Sequence, residues 1–170
     1  PMVLRERAEM LADLADAREI AGIHFEGPFI AQGHCGAQDP RHIQSPNPAL
    51  TRELMICSRG HAVSMTMAPE KPYQMGPGGV AEALLDGGAV PSLGHTDTDA
   101  AHMRSALRDV RESIARTPQP RCTHATITHL FNGMAPMHHR EPGPVPEILA
   151  DAAGGGAIVE LIGDGVHVAP

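Results

Sequence analysis

Three residues with metal-binding side chains, Glu26, His95 and His129, stand at or near the ends of predicted β-strands. Glu26 precedes a Gly-Pro turn, and Gly94 would let the backbone turn tightly and aim the His95 imidazole inward. Taken singly, a turn glutamate is often a surface residue, and a strand histidine such as His129 is often a hydrogen-bonded core residue. Together, one carboxylate and two imidazoles suit catalytic Zn²⁺ or Fe²⁺, which lowers the pKa of a bound water and polarises a carbonyl.

Apolar periodicity predicts strands and helices that alternate along the chain. The predicted strands are residues 21–25, 62–67, 89–93, 125–130 and 157–162, the last of them of the buried type. The predicted helices are residues 4–20, 51–58, 80–85, 99–115 and 147–153. This alternation is typical of an α/β fold with a parallel sheet, whose reactive side chains gather at the C-terminal strand ends. A (β/α)₈ barrel and a doubly wound open sheet both fit the pattern.

The length of the chain bears on this choice. Five strand–helix units in 170 residues are about two-thirds of a (β/α)₈ barrel, which needs roughly 250 residues. We therefore expect residues 1–170 to be the central part of one barrel domain that is truncated at both ends, with an independent open sheet as the alternative. A partial barrel exposes unpaired strand edges, so these residues alone are expected to be molten or aggregated.

The composition argues against several classes of function. A formal net charge of −7 gives no general attraction to nucleic acid or to an anionic membrane, and the chain has no Trp for base stacking. Cys35, Cys57 and Cys122 are widely spaced, which argues against disulfides and favours free thiols in the cytoplasm. No apolar run reaches the about 18 residues that a membrane span requires.

Two later segments carry weaker signals. Arg140, within HHREPGP, could clamp a phosphate or a carboxylate, or it could lie in a solvated loop. His167, within GDGVHV, follows a sharp turn around Asp164 and could face either a substrate or solvent. The Gly- and Pro-rich stretch of residues 27–48 is a long loop, and long loops in compact domains are often functional or mobile.

Six segments together indicate a family. GIHFEGPFI, MAPE, GHTD, THLFNGM, HHREPG and GDGVHV occur in the order and rough spacing of N-acetylglucosamine-6-phosphate deacetylases, which the chain resembles from about Gly22 to its end. That family belongs to the metal-dependent amidohydrolase superfamily of (β/α)₈ barrels. The resemblance implies a partial TIM barrel and hydrolysis of the acetamide of N-acetylglucosamine 6-phosphate to glucosamine 6-phosphate and acetate, in amino-sugar catabolism.

The resemblance also implies roles for individual residues. Glu26, His95 and His129 match the metal ligands of the family, and we expect Zn²⁺, with Fe²⁺ or another divalent cation as the alternative. Asn132 matches a residue that meets the sugar phosphate, and Gly133 would contact the same phosphate through its backbone N–H. Many relatives carry Ala at the second of these positions, and glycine keeps the N–H.

Two further matches involve the substrate. Arg140 matches an arginine that reaches the phosphate bound by the neighbouring subunit, so a homodimer is implied. His167 matches a substrate-binding histidine.

The sequence departs from the family pattern in two ways. Gln38 stands where many relatives carry a histidine that helps to polarise the acetyl carbonyl, and its amide can donate a hydrogen bond to that carbonyl but cannot carry a charge. The general-base Asp of the family is absent and would lie beyond Pro170, just as an N-terminal metal-binding motif would lie before Pro1. Residues 1–170 alone are therefore expected to be inactive.

Two rival functions stay open at this stage. The chain could come from another amidohydrolase that acts on a different amide or a cyclic imide, although Asn132 and Arg140 argue for a phosphorylated substrate. It could also be a non-catalytic remnant that binds sugar phosphates. The sequence does not distinguish N-acetylglucosamine from N-acetylgalactosamine 6-phosphate, because these differ at one hydroxyl.

Overall fold

The computed structural model describes residues 2–169, in which five strands and five α-helices alternate. The strands are β1 (Ile23–Glu26), β2 (Ala62–Met67), β3 (Val90–Leu93), β4 (Ala125–Ile127) and β5 (Ala157–Val159). The helices are α1 (Met2–Asp16), α2 (Pro48–Cys57), α3 (Val80–Asp86), α4 (Ala100–Arg116) and α5 (Val145–Ala153). Two short 3₁₀ helices, Gln32–His34 and Pro40–His42, lie in the loop after β1. None of the helices in this range is long and apolar enough to cross a membrane.

The strands form a parallel sheet in the order β1-β2-β3-β4-β5. Each crossover therefore moves in the same direction, whereas a doubly wound sheet reverses direction at a switch point. Right-handed crossovers that never reverse place all the helices on one face of the sheet. The strand order thus confirms the α/β prediction and identifies this part of the chain as part of a (β/α)₈ barrel rather than a doubly wound sheet.

The sheet is curved, as two threonine side chains show. Adjacent strands lie about 4.8 Å apart, so strands two places apart in a flat sheet are separated by roughly 10 Å. Thr66 lies on β2 and Thr128 directly follows β4, yet their Oγ1 atoms are 2.8 Å apart. The inner face of the sheet must therefore be concave, as a barrel requires.

The concave face carries a connected set of polar side chains. His24 contacts Ser64 Oγ through Nδ1 at 2.7 Å and Thr66 Oγ1 through Nε2 at 3.0 Å. Thr66 contacts Thr128, which in turn contacts Ser92 Oγ at 2.8 Å. Burial lowers the pKa of His24 and so favours the neutral ring in this network. Hydroxyls here replace the branched apolar side chains that usually fill a barrel.

The convex face packs against the helices, and α4 shows why the sequence folds this way. Apolar residues recur every three or four positions, and its buried side chains are Met103, Ala106, Leu107, Val110 and Ile114. Asp99 caps the helix by accepting a hydrogen bond from the backbone N–H of His102 at 2.7 Å. The strands contribute Met65, Leu93 and Ile127 to the same core.

Several element boundaries differ from those predicted. α1 begins at Met2 and ends at Asp16, four residues before the predicted end, and the backbone then turns through Arg18 at φ 62°. β4 ends at Ile127, so the prediction that His129 lies inside a strand is wrong. β5 ends at Val159, and Ile158 is half exposed because it lies on the inner face, which the described part of the barrel does not close over.

Arg121 joins two turns at the N-terminal edge of the sheet. Its Nε donates to the carbonyl of Gly88 at 2.7 Å, and its Nη2 donates to the carbonyl of Gly60 at 3.1 Å. These turns lead into β3 and β2, so one guanidinium holds the starts of two adjacent strands.

Candidate metal centre

Glu26, His95 and His129 converge at the C-terminal edge of the sheet. Glu26 Oε1 is 3.0 Å from His95 Nε2 and 2.9 Å from His129 Nε2, and the two Nε2 atoms are 3.0 Å apart. The imidazole side chains are 6% and 14% exposed, and the Glu26 side chain is 45% exposed. These atoms form a nearly equilateral triangle that is open on the side of the carboxylate.

Each residue reaches the triangle from the end of a strand. Glu26 is the last residue of β1, while His95 and His129 each stand two positions after the end of β3 and β4. Parallel strands bring their C-terminal ends to one edge of the sheet, and the curvature then draws the ends of β1 and β4 together. β2 lies between β1 and β3 and supplies no atom to the triangle.

Both histidines have left-handed backbones. φ is 48° at His95 and 26° at His129, values that a non-glycine residue adopts only at an energetic cost. Gly94 keeps a negative φ, so its role differs from the tight turn predicted: a Cβ there would lie 3.0 Å from Thr128 Cβ. Gly94 therefore allows two neighbouring strand ends to approach, and the turn itself is made by His95.

The ring of His95 is fixed by the loop after β1. Its Nδ1 lies 2.6 Å from the backbone carbonyl of His34, and a carbonyl only accepts hydrogen bonds. Nδ1 must therefore carry a hydrogen, which leaves Nε2 of the neutral ring with a lone pair directed at Glu26 and His129. The backbone carbonyl of His95 also accepts a hydrogen bond from Ala31 N–H at 2.8 Å.

While Glu26 is a carboxylate, no placement of protons turns all three edges of the triangle into hydrogen bonds. A hydrogen bond needs a hydrogen on one of the two facing atoms and a lone pair on the other. An imidazole Nε2 carries either a hydrogen or a lone pair, and a carboxylate oxygen carries only lone pairs. If Nε2 of His129 alone carries a hydrogen, then Glu26 Oε1 and His95 Nε2 face each other as lone pairs at 3.0 Å. A cation that accepts all three lone pairs removes this conflict, and donor atoms about 3 Å apart can share one ion at typical bond lengths of about 2.0–2.2 Å.

The charge state of Glu26 agrees with this arrangement. Partial burial raises the pKa of Glu26, but the neighbouring imidazoles of His95 and His129 lower it by more, and the net shift is downward. Glu26 is therefore a carboxylate at neutral pH. Nδ1 of His129 is buried and has no hydrogen-bond partner among residues 2–169, so no neighbour in that range fixes its tautomer.

Two of the predicted substrate contacts lie beside the triangle. Asn132 follows His129, and its backbone N–H donates to the His129 carbonyl at 3.0 Å. Gly133 has φ 62°, and a Cβ there would lie 2.6 Å from Nδ1 of His95 and 3.0 Å from the carbonyl of His34. An alanine at this position would thus require His95 or the loop after β1 to shift.

Gln38 lies near Glu26 in a cleft between α1 and β1. The cleft has a volume of about 700 Å³, and its lining includes His24, Glu26 and Gln38. The Nε2 of Gln38 is buried and unpaired within the described residues. The contact of this amide with a substrate carbonyl stays a prediction from the sequence.

Arg140 and His167 make no hydrogen bond with the triangle residues in the described part of the chain. Arg140 is exposed in the segment before α5, where its backbone N–H contacts Nδ1 of His138 at 3.3 Å. The Nδ1 of His167 contacts Asp164 Oδ2 at 2.7 Å, and the other oxygen of Asp164 accepts the N–H groups of Val166 and His167. These hydrogen bonds lower the pKa of Asp164 to about 2.

Sequence reasoning missed two residues that hold His95. The His34 carbonyl fixes the tautomer of His95, and the His34 side chain contacts Asp97 at 3.1 Å. Glu70 accepts hydrogen bonds from Thr96 and Asp97. Glu70 could have been noticed as a polar residue just after the predicted end of β2. No spacing rule could identify a backbone carbonyl such as that of His34.

The sequence of this chain is similar to known enzymes, although no protein-family model matches it. It is 34% identical over 152 residues to the N-acetylglucosamine-6-phosphate deacetylase of Bacillus subtilis, a match that covers 89% of this chain and 34% of that protein. The human protein of the same name is 32% identical over 158 residues, with 89% and 34% covered. Over 89% of its length the chain therefore resembles N-acetylglucosamine-6-phosphate deacetylases. It spans about a third of the length of the curated relatives it matches.

Solved structures of the family agree with this placement. The N-acetyl-D-glucosamine-6-phosphate deacetylase of Mycobacterium smegmatis matches with a TM-score of 0.79 and 33% identity, covering 98% of this chain and 39% of that one. A point mutant of that enzyme, solved in complex with N-acetyl-D-glucosamine-6-phosphate, gives a TM-score of 0.80 over the same coverage. The fold prediction and the family resemblance are therefore both confirmed.

Proposed function

We propose that the complete protein is a metal-dependent deacetylase that hydrolyses N-acetylglucosamine 6-phosphate to glucosamine 6-phosphate and acetate. The observation that carries the proposal is the triangle of Glu26, His95 and His129, whose three contacts cannot all be hydrogen bonds while Glu26 is a carboxylate. The names of the relatives, and the sugar phosphate bound to the M. smegmatis mutant, favour this substrate.

The same three residues would hold a divalent cation, for which we propose Zn²⁺, with Fe²⁺ as the alternative. One carboxylate and two imidazoles are typical of catalytic sites of both ions, so the donor set does not select between them. When bound, such an ion lowers the pKa of a water and polarises the carbonyl to be attacked. Glu26 as a carboxylate, and His95 with its hydrogen on Nδ1, are already in the forms that coordination requires.

The other residues of the chain bind and orient the substrate in this proposal. The unpaired Nε2 of Gln38 donates to the acetyl carbonyl, which stabilises the charge that develops on its oxygen. Asn132 and the N–H of Gly133 hold the phosphate, and His167, oriented by Asp164, contacts the sugar. Holding both ends of the substrate keeps the acetamide in a geometry that favours attack.

Three parts of the proposal reach beyond residues 1–170. The relatives are about three times as long, so we propose that the rest of the barrel and the general-base Asp come from other parts of the chain. Arg140 is exposed, and we propose that it reaches the phosphate bound by the partner subunit of a homodimer. We also propose that the enzyme acts in the cytoplasm, in amino-sugar catabolism.

The decisive experiment is to measure acetate release from N-acetylglucosamine 6-phosphate by the complete protein, together with its metal content. Release that depends on about one tightly bound ion per subunit supports the proposal. Faster turnover of the phosphorylated than of the unphosphorylated sugar supports the phosphate contacts. A metal-loaded protein that releases no acetate would keep the site and move the function to another amide or a cyclic imide. A metal-free, inactive protein would favour the non-catalytic remnant.

A second candidate substrate has an observation of its own. A protein of Shewanella sp. named N-acetylgalactosamine-6-phosphate deacetylase is 30% identical to this chain over 174 residues. The match covers 99% of this chain and 38% of the Shewanella protein. The two sugars differ at one hydroxyl, and none of the contacts proposed above involves that hydroxyl. Turnover of both phosphorylated sugars under the same conditions decides between them.

A further inference from the structure

Glu70 follows β2 by three residues and uses both carboxylate oxygens to hold the segment after His95. Its Oε2 accepts the hydroxyl hydrogen of Thr96 at 2.5 Å, and its Oε1 accepts the backbone N–H of Asp97 at 3.0 Å. The contacts join residues 26 and 27 positions apart in the sequence. One side chain thus connects the end of β2 to the loop after β3.

Thr96 is the point where these contacts meet. Its side chain is fully buried, and its backbone N–H donates to the carbonyl of Gly133 at 2.9 Å. Its Oγ1 also accepts the N–H of Thr98 at 3.1 Å. Since Oγ1 is already an acceptor there, its own hydrogen needs a separate acceptor, and Glu70 supplies one.

The backbone of His95 explains why such an anchor is needed. A non-glycine residue at φ 48° persists only when the surrounding structure holds it there. On the N-terminal side, Gly94 N–H donates to the Met67 carbonyl at 3.2 Å. On the C-terminal side, the contacts of Glu70 with Thr96 and Asp97 hold the chain.

We propose that Glu70 is a positioning residue for the metal centre, which it supports by fixing the backbone conformation that aims His95 Nε2 at Glu26 and His129. This inference rests on the proposed metal site. Glu70 is not itself a ligand, because both of its oxygens are engaged and neither belongs to the triangle. β2, which supplies no ligand, therefore contributes the support for the ligand of its neighbour β3.

The test uses the complete, metal-free protein titrated with Co²⁺, whose visible absorption reports both affinity and the geometry of its ligands. Loss of an outer partner of a metal ligand typically weakens metal affinity by about 10–100-fold. We expect Glu70→Ala to weaken Co²⁺ binding by about tenfold and to change the shape of the spectrum. Glu70→Gln keeps an acceptor for Asp97 N–H and should restore most of the affinity.

A matched control is Glu82→Ala. One carboxylate oxygen of Glu82 also accepts a backbone N–H, from Gly78 at 2.5 Å. Glu82 lies on α3 and is not part of the triangle. Its loss should leave the Co²⁺ affinity and spectrum unchanged. If Glu70→Ala fails to fold, Thr96→Val keeps the shape but removes the contact with Glu70 and the hydrogen bond from Thr98 N–H, and Thr96→Ser restores both. Thr96→Val should then weaken Co²⁺ binding, and Thr96→Ser should not.

The outcomes separate this inference from the function it rests on. If the wild type binds Co²⁺ and Glu70→Ala binds it equally well, only the positioning role is overturned. Where Glu70→Ala does not fold, unaltered Co²⁺ binding by Thr96→Val has the same meaning. A wild-type protein that binds no Co²⁺ overturns the metal site, and the positioning role with it. Weakened binding and an altered spectrum in Glu70→Ala, with recovery in Glu70→Gln, support both.

Discussion

Glu26 Oε1 and His129 Nε2 lie 2.9 Å apart, although two other strands separate β1 from β4 in the sheet. In a flat sheet the backbones of these strands would be roughly 14 Å apart, too far for the side chains to meet. The contact therefore exists only because the sheet is curved. The candidate metal centre therefore depends on the curvature of the sheet, and we expect damage to the curvature to be visible first as loss of metal binding.

His129→Ala in the complete protein should abolish metal retention and, with it, acetate release. The substitution removes one of three lone pairs, and the remaining carboxylate and imidazole would hold an ion only weakly. Metal content after gel filtration is the measurement. His139→Ala is the control, since that exposed ring stacks only on His138. Unchanged metal content in His129→Ala would contradict the ligand assignment.

Gly133→Ala should cost more stability and more metal affinity than Gly78→Ala. Both positions have positive φ, 62° and 74°, so both substitutions carry the left-handed penalty of about 1–2 kcal/mol. Only at Gly133 would the new Cβ meet His95 Nδ1, at 2.6 Å, whereas nothing lies within 4 Å at Gly78. The collision should add about 1–3 kcal/mol to the loss in free energy of unfolding. Equal losses for the two variants, measured by denaturant unfolding and Co²⁺ titration, would show that His95 adjusts freely.

Acid should loosen the turn that orients His167. Because hydrogen bonds lower the pKa of Asp164 to about 2 in the folded protein, its contribution to stability is fully present above its ordinary pKa of 3.8. That contribution is lost as the pH falls through about 2. The amide hydrogens of Val166 and His167 should exchange faster in Asp164→Ala than in the wild type at neutral pH. Unchanged exchange rates would mean that the Asp164 contacts do not hold the turn.

Arg121→Ala should lower the free energy of unfolding by about 1 kcal/mol without changing metal affinity. The variant loses two hydrogen bonds from a guanidinium to carbonyls at the edge of the sheet opposite the metal centre. Arg116→Ala is the control, because Arg116 is exposed and its side chain contacts Ser113 and Glu112, which lie on the same helix. A change in Co²⁺ affinity in Arg121→Ala would show that the two edges of the sheet are coupled.

The sequence predicted the order of the elements because their periodicity is local. β2 was predicted with its observed bounds, and α4 was predicted to within one residue at each end because Asp99 caps it. Strand ends near the site were harder to predict. β4 stops at Ile127 although the predicted strand continued to Leu130, because the backbone turns into the left-handed region at His129. Only contacts with other strands hold that conformation, and no pattern in a single segment encodes them.

The convergence of the three candidate ligand side chains could be predicted from the sequence, whereas the backbone contacts around them could not. Glu26, His95 and His129 could be found because carboxylates and imidazoles at strand ends have a recognisable chemistry. The role of the His34 carbonyl could not be predicted, since every residue has a carbonyl and only the path of the loop brings this one to His95.

The bridge that Arg121 makes between the turns at Gly60 and Gly88 lies at the edge where strands begin, whereas the triangle lies where they end. The contacts that stabilise the strand starts and the candidate metal ligands thus lie at opposite edges of one sheet. Substitutions that raise the stability of this protein can therefore be made at the N-terminal edge of the sheet, around Arg121, without changing the candidate metal ligands. Substitutions that change its substrate can be made in the loops at the other edge while the scaffold beneath them stays intact.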